Sequence, residues 1–285
     1  MNPVDDAWTP LIATPDGATS TVPNPRWGIR AQVEYPASAA PGMVWFSGAL
    51  RGGLADQSLW QLGDDGQWLL HQVDPSSSLP SRRKGASIFA AACSSSPVAF
   101  DFVVVGGEGP SSTLLNDAWR LGCGADGLEC RWEAITSAGA LSGRADAAVV
   151  VPNHYGSAFL FGGRTSIGDS DELFSMNPCG TPATWVEVVV TGSAPGPRSG
   201  HTMSIVHAVE PDLPSAILFG GSTTSEQVHR LTFESTTAAT WAELAVAPGA
   251  SPGPMRNHVA WWDGPRRRLV VFTGDDDVWE LRVRP

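Results

Sequence analysis

The chain has 285 residues, 42% of them apolar, with 31 Gly, 23 Pro, 12 Trp and a formal net charge of −11. This is a globular composition, and its acidity argues against non-specific nucleic-acid binding and against an anionic membrane surface, both of which need clustered Lys and Arg. No apolar run approaches the ~18 residues of a spanning helix, and no segment keeps a 3.6-residue apolar period over three turns, so the fold class expected is all-β.

Read in order, Met1–Asp6 has neither the basic start nor the apolar core of a signal peptide. The expectation is a protein that stays inside the cell, or a mature segment with a new Met. Trp8 and a Pro-rich connector over residues 9–25 lead to Arg26-Trp27. An apolar strand, Val44-Trp45-Phe46, then runs into the small doublet Ser47-Gly48, and the event recurs four times. Val103-Val104-Val105 meets Gly106-Gly107, Phe159-Leu160-Phe161 meets Gly162-Gly163, Ile217-Leu218-Phe219 meets Gly220-Gly221, and Val270-Val271-Phe272 meets Thr273-Gly274. The doublets stand 53 to 59 residues apart. After each comes a loop and then a strand pattern of aromatic (once His), spacer and Leu or Met: Trp60-Gln61-Leu62, Trp119-Arg120-Leu121, Phe174-Ser175-Met176, His229-Arg230-Leu231 and Trp279-Glu280-Leu281. Trp68, Trp132, Trp185 and Trp241 follow, 8 to 13 residues beyond the aromatic. The fifth unit reaches Pro285 before a Trp of its own, and Trp8 lies one repeat length from Trp241 if the chain is read as a circle. Self-similarity at a fixed period is the mark of a repeat architecture.

A Gly doublet after an apolar strand, a later aromatic and a spaced Trp resemble the kelch repeat, and the resemblance covers essentially the whole chain. The kelch pattern usually has Tyr as its first aromatic, and here that position holds Trp, Trp, Phe, His and Trp. The resemblance implies a five-bladed β-propeller of four-stranded antiparallel blades, roughly 26–73, 82–135, 144–190, 198–246 and 254–285, the last completed by residues 4–13 around Trp8. Such closure would protect the sheet edges.

The connectors deliver one arginine to the start of each innermost strand: Arg26, Arg83 (or Arg82), Arg144, Arg198 and Arg256. In a propeller with this strand order, the connectors and the loops after the doublets open on one face, here termed the connector face. The five guanidinium groups are expected around the channel mouth there, near Trp27, His201 and His258. Their rigid donor forks suit a carboxylate or phosphate. The competing reading is internal: Arg at this position serves packing in kelch repeats, and Glu108, Asp169, Asp171, Glu172 and Asp275–Asp277 offer partners. The resemblance also implies peptide contact by arginine in a Pro-Arg-Ser-Gly segment, which Pro197-Arg198-Ser199-Gly200 matches.

No other chemistry is called for, so no cofactor and no metal is expected. Only two tyrosines, Tyr35 and Tyr155, are present, against the copper-radical site of some similar propellers. Ser199/His201 and Ser204/His207 lack an orienting acid and a nucleophile elbow. Asp64-Asp65-Gly66 and Asp275–Asp277 read as solvated turns. Trp261-Trp262 on one strand should face opposite ways, one into the core and one out. Cys123 and Cys130 flank one hairpin and can approach disulfide distance, whereas nothing fixes whether Cys93 meets Cys179. The cysteines lean toward a secreted or extracytoplasmic protein, and four reduced thiols would be the cytoplasmic alternative. The reading is a monomeric, non-catalytic binding or scaffold module for an acidic peptide, protein or small anionic ligand. The alternative is an enzyme acting on a carbohydrate or small acidic metabolite at the same mouth.

Overall fold

A computed structural model describes residues 26–27, 30–34, 42–46, 49–50, 58–62, 68–91, 93, 98–124, 129–139, 141–152, 156–206, 213–221, 224–247, 249–273 and 277–282. Among them there is no α-helix, only a short 3₁₀ turn at Pro110–Ser112. The apolar strands entering the doublets are second from the inside of antiparallel sheets. Blade 1 consists of Arg30–Glu34, Gly42–Phe46, Leu59–Leu62 and Trp68–Leu70. From the inside outward, blade 2 has Ser87–Ala90, Val98–Val105, Ala118–Gly124 and Glu129–Ile135. Blade 3 has Ala148–Val150, Ala158–Phe161, Leu173–Met176 and Ala183–Glu187, and blade 4 has His201–Val206, Ser215–Gly220, Val228–Phe233 and Ala238–Leu244. The fifth repeat forms a three-stranded sheet, Val259–Asp263, Arg268–Phe272 and Val278–Arg282.

The structure is an all-β propeller, but the expectation of five four-stranded blades needs correction. Among the described residues four blades have four or more strands, and the fifth repeat forms a sheet of three. Residues 4–13, expected to close it, lie outside the described residues, as do Tyr35, Tyr155, His207, Asp64-Asp65-Gly66 and Asp275-Asp276.

Successive sheets pack face to face. Leu59 of blade 1 joins Phe102, Val104, Leu121 and Trp132 of blade 2. Phe89, Val103 and Val105 of blade 2 join Leu160, Phe174 and Trp185 of blade 3. Phe159 and Phe161 of blade 3 join Leu218, Leu231 and Trp241 of blade 4. Ile217, Phe219 and Val228 then meet Leu269 and Val271 of the three-stranded sheet. The repeat tryptophans are therefore wedges against the preceding blade, with Trp241 and Phe161 centroids 5.0 Å apart.

The doublets are the joints. Gly107 donates its N–H to Arg144 O at 2.8 Å, Gly163 to Arg198 O at 2.9 Å and Gly221 to Met255 O at 2.8 Å, each tying one blade to the start of the next. At Gly162, φ is +67° and a Cβ would lie 2.7 Å from Arg198 O, so only glycine accepts both the turn and the approach.

One feature was not expected. Three of the stretches leading from one blade to the next begin as a fifth, outermost strand on the following blade. Gln72–Val73 runs parallel to Glu129–Cys130, Ser137–Gly139 to Ala183–Trp185, and Val189–Gly192 to Ala238–Trp241. Two disulfides add covalent ties. Cys123–Cys130 crosses the hairpin of blade 2, as the spacing allowed, and Cys93–Cys179 links the edge of blade 2 to a turn of blade 3. Trp261 is 48% exposed, whereas Trp262 packs against the core, so the pair does face opposite ways.

Candidate functional site

The connector face is built by one recurring backbone register. Lys84 bridges Glu108 and Ala145 bridges Arg164, each pairing the start of an inner strand with the residue after a doublet. Arg26–Trp27 pairs with Ala49–Leu50 in the same way; the side chains of Arg26 and Trp27 lie outside the described residues. A daisy chain of hydrogen bonds then links the inner strands. Asp146 N–H donates to Gly85 O, Gly200 N–H to Asp146 O and Asn257 N–H to Gly200 O, at 2.7–2.8 Å. All four residues have φ between +58° and +70°. Connectors and post-doublet loops thus share one face.

That register settles the arginines. Arg83, and not the exposed Arg82, is the buried member. Arg83, Arg144 and Arg198 are equivalent and almost fully buried. Arg256 is not their counterpart: Met255 supplies the carbonyl that Arg144 and Arg198 supply elsewhere, and Arg256 stands one residue on, level with Lys84, Ala145 and Ser199. Each buried guanidinium clamps its own blade. Arg83 Nη1 donates to Gly106 O at 2.9 Å, Arg144 Nη1 to Gly162 O at 3.0 Å and Arg198 Nη1 to Gly220 O at 2.9 Å, the carbonyls of the doublets' first glycines.

Two of the three also hold an acid. Arg83 grips Asp117 with both terminal nitrogens, at 2.7 and 2.8 Å, and Arg144 Nη2 meets Glu172 at 2.8 Å. Burial works to raise the Asp117 carboxyl, but the Arg83 hydrogen bonds and charge outweigh it and hold it below the usual range. The same contest holds Glu172 low, with Arg144 and Ser170 prevailing. The internal reading therefore describes Arg83 and Arg144. Instead of opening to the channel, they lie inside the sheets, because a buried guanidinium must be satisfied.

The cations that reach the surface beside the ribbon are different residues, half-buried or exposed. Lys84 and Arg164 share Glu108, at 3.1 and 2.5 Å, and Arg256 spans from Ser199 Oγ at 2.9 Å to Asp169 at 2.8 Å. Between Arg164 and Asp169 a two-stranded ribbon, Arg164–Thr165 with Gly168–Asp169, stands out from the face. Its tip residue Ile167 is 98% exposed. Sequence reasoning passed over Ile167 because a lone Ile between Ser and Gly carries no strand pattern.

His201 and His258 lie under doublets as packing groups. A Cβ on Gly162 would come 2.9 Å from His201 Cε1, and one on Gly220 would come 2.4 Å from His258 Cε1. Both rings make edge contacts, His201 with Phe161 and His258 with Phe219. His258 Nε2 meets Thr202 Oγ1 at 3.0 Å, and burial pushes its imidazole down to about 4. His71 lies beside Cys123 and Cys130, whose sulfurs are engaged in their disulfide rather than offered to a metal.

Beside this geometry of glycine joints, wedge tryptophans and clamping arginines, the sequence matches a family model, the KLHDC2/KLHL20/DRC7 Kelch-repeats domain, over residues 94–283. The chain belongs to the kelch-repeat family. A search of curated proteins returned no match.

Proposed function

We propose that this kelch propeller is a non-catalytic binding module that receives an acidic segment of a partner protein on its connector face. Ile167 carries the reading. A side chain 98% exposed at the tip of a paired ribbon is an anchor awaiting a pocket or apolar contact. Arg164 at the ribbon's base, Lys84 and Arg256 surround it with cations in a chain whose net charge is −11. Arg164 and Arg256, 41% and 36% exposed, keep donor atoms within reach of solvent although Glu108 and Asp169 beneath them are only 12% and 21% exposed, so a ligand carboxylate can join those pairs from outside. In this reading Arg26 and Trp27 complete the face from blade 1, and Arg83 and Arg144 hold the scaffold.

A closed ring supports that face. The three-stranded sheet turns Val259, Trp261, Phe272 and Val278 outward, each 37–58% exposed, on the side away from blade 4. We propose that residues 4–13 add its fourth strand and that this apolar side meets blade 1. The repeats at 26–73, 82–135, 144–190 and 198–246 then form a single domain with 254–285. The two disulfides fit an oxidising compartment.

Titration with acidic dodecapeptides and their amidated (Asn/Gln) counterparts, followed by calorimetry, tests the function. Binding of acidic peptides alone is expected, weakened at least tenfold by Ile167→Asp and by Arg256→Glu. Equal binding of the neutral set, or indifference to both substitutions, overturns it.

A further inference from the structure

Blades 2 and 3 contain a repeated device whose fourth-blade copy lacks its acid. In blade 2, Arg83 Nε donates to Ser81 O at 3.0 Å and Nη1 to Gly106 O at 2.9 Å, while Nη2 meets Ser81 Oγ at 3.3 Å and the Asp117 carboxylate at 2.8 Å. Trp119, two residues past the acid, adds its Nε1–H to the same carboxylate at 2.7 Å. Blade 3 repeats the plan: Arg144 Nη2 reaches Ser142 Oγ at 2.9 Å and Glu172 at 2.8 Å, with its guanidinium 5.1 Å from the Phe174 ring.

In blade 4 the arginine keeps its pose and loses both Nη2 partners. Arg198 Nε donates to Gly196 O at 3.0 Å and Nη1 to Gly220 O at 2.9 Å, reproducing the two backbone contacts of Arg83 and Arg144. The serine two residues before the arginine has become Gly196, which has no hydroxyl, and the acid two residues before the aromatic has become Gln227. The Gln227 amide turns elsewhere: Nε2 donates to Glu243 at 3.0 Å and Oε1 accepts from Ser225 Oγ at 3.0 Å. Arg198, 3% exposed, therefore has no carboxylate partner among the described residues, and burial presses its guanidinium below the usual range. His229 occupies the place of Trp119, and its buried Nδ1 also has no partner. A buried guanidinium without an anion and a buried imidazole nitrogen without a hydrogen-bond partner are each costly unless a ligand joins them.

We infer that Arg198 and His229, at the place Gln227 leaves without an acid, form a cradle on blade 4 that takes a single carboxylate group from outside the chain, where Asp117 and Glu172 serve blades 2 and 3. The position opens to solvent: the Asp117 and Glu172 side chains are 38% and 44% exposed, and Gln227 is exposed. A carboxylate fits better than a larger tetrahedral anion, because the same donor fork already grips one in planar, two-oxygen fashion at Asp117. This deepens the acidic-ligand reading of the connector face and names the group that Arg198 reads. A partner's acidic side chain and a free small carboxylate share this chemistry.

The test uses nitrogen-15 NMR of the whole chain, following the Arg198 guanidinium and His229 ring signals during titration with sodium acetate against sodium chloride at constant ionic strength. A saturable shift with acetate, absent with chloride, is expected. Gln227→Glu and Gln227→Asp supply an internal acid, so both should start near the acetate-saturated positions and bind acetate at least tenfold more weakly. No saturable acetate shift, or an unchanged one in both folded variants, overturns the cradle. Tetraglutamate and tetraglutamine separate the sources: tetraglutamate binding well above acetate, and lost in Gln227→Glu, assigns a partner side chain, whereas affinity equal to acetate assigns a free carboxylate. Acidic peptides that respond to Ile167→Asp but not to Gln227→Glu overturn the cradle while leaving the wider reading intact.

Discussion

A single imidazole shows how tightly the joints are made. His258 lies where the three-stranded sheet meets blade 4, against Phe219 and beneath a glycine whose missing Cβ makes its room. Burial holds it at about 4, well below the 6.5 of a free histidine, so the folded chain keeps it neutral where the unfolded chain takes up a proton. Between pH 6.5 and 4 the unfolded state binds more protons, and stability rises with pH. His258 thus contributes stability that is complete above 6.5 and falls away as the solution is acidified toward 4. Over the span from 6.5 to 5, before most carboxylates titrate, the loss is about 1.5 kcal/mol. His258→Gln should flatten that part of the pH profile of urea midpoints relative to the parent chain. His229, lowered chiefly by burial and then by Arg198, has the same sign and stays in both proteins, so the difference reports His258 alone. An unchanged slope would show the ring to be solvated.

At the scale of the strand, what the sequence revealed depended on whether side chains or backbone made the contact. The doublets and wedge tryptophans were legible because positive φ demands glycine and an interface demands a large apolar group. The arginine register was misread at blade 5 because the joint uses only the carbonyl of residue 255, to which a Met side chain is indifferent. The connector strands escaped for a similar reason. Ser137–Gly139 and Val189–Gly192 are exposed along their length, so no alternation marks them, and their pairing is a backbone matter. Asp117, Glu172 and Gln227 could have been aligned by counting two residues back from each aromatic. Gln227 gave no signal on its own. Two of the three added strands end on glycine: at Gly192, φ is +80° and a Cβ would sit 2.0 Å from Trp241 O. Gly192→Ala should cost about 2 kcal/mol or more, since the strand must give up a left-handed residue and its contact with the blade. Thermal unfolding measures this, and Gly196→Ala, with open space around it, serves as the neutral comparison. Equal losses at the two glycines would show that the strand is not held there.

For the whole molecule, the question is what keeps a row of sheets from opening between blades. Apolar faces and single backbone bonds at each joint bring successive blades together, yet every interface is made by segments far apart in the chain. Closing such contacts costs loop entropy before any burial returns it. The two disulfides act on this cost very differently. Cys123–Cys130 spans 7 residues within one hairpin, which the strand register of blade 2 already pairs directly. Cys93–Cys179 spans 86 residues and fixes blade 2 to blade 3. On the chain-entropy account the long link constrains the unfolded chain by about 4–5 kcal/mol and the short one by about 2 kcal/mol. Replacing Cys93 and Cys179 together by alanine should therefore lower stability roughly twice as much as replacing Cys123 and Cys130, with urea midpoints as the readout. Because the long link crosses a joint, its loss should also broaden the transition as blades 1 and 2 come to open apart from the rest. Equal losses from the two pairs would mean that the blade 2–blade 3 interface is already closed in the unfolded ensemble, and a single sharp transition without Cys93–Cys179 would place the cooperativity in the apolar faces alone.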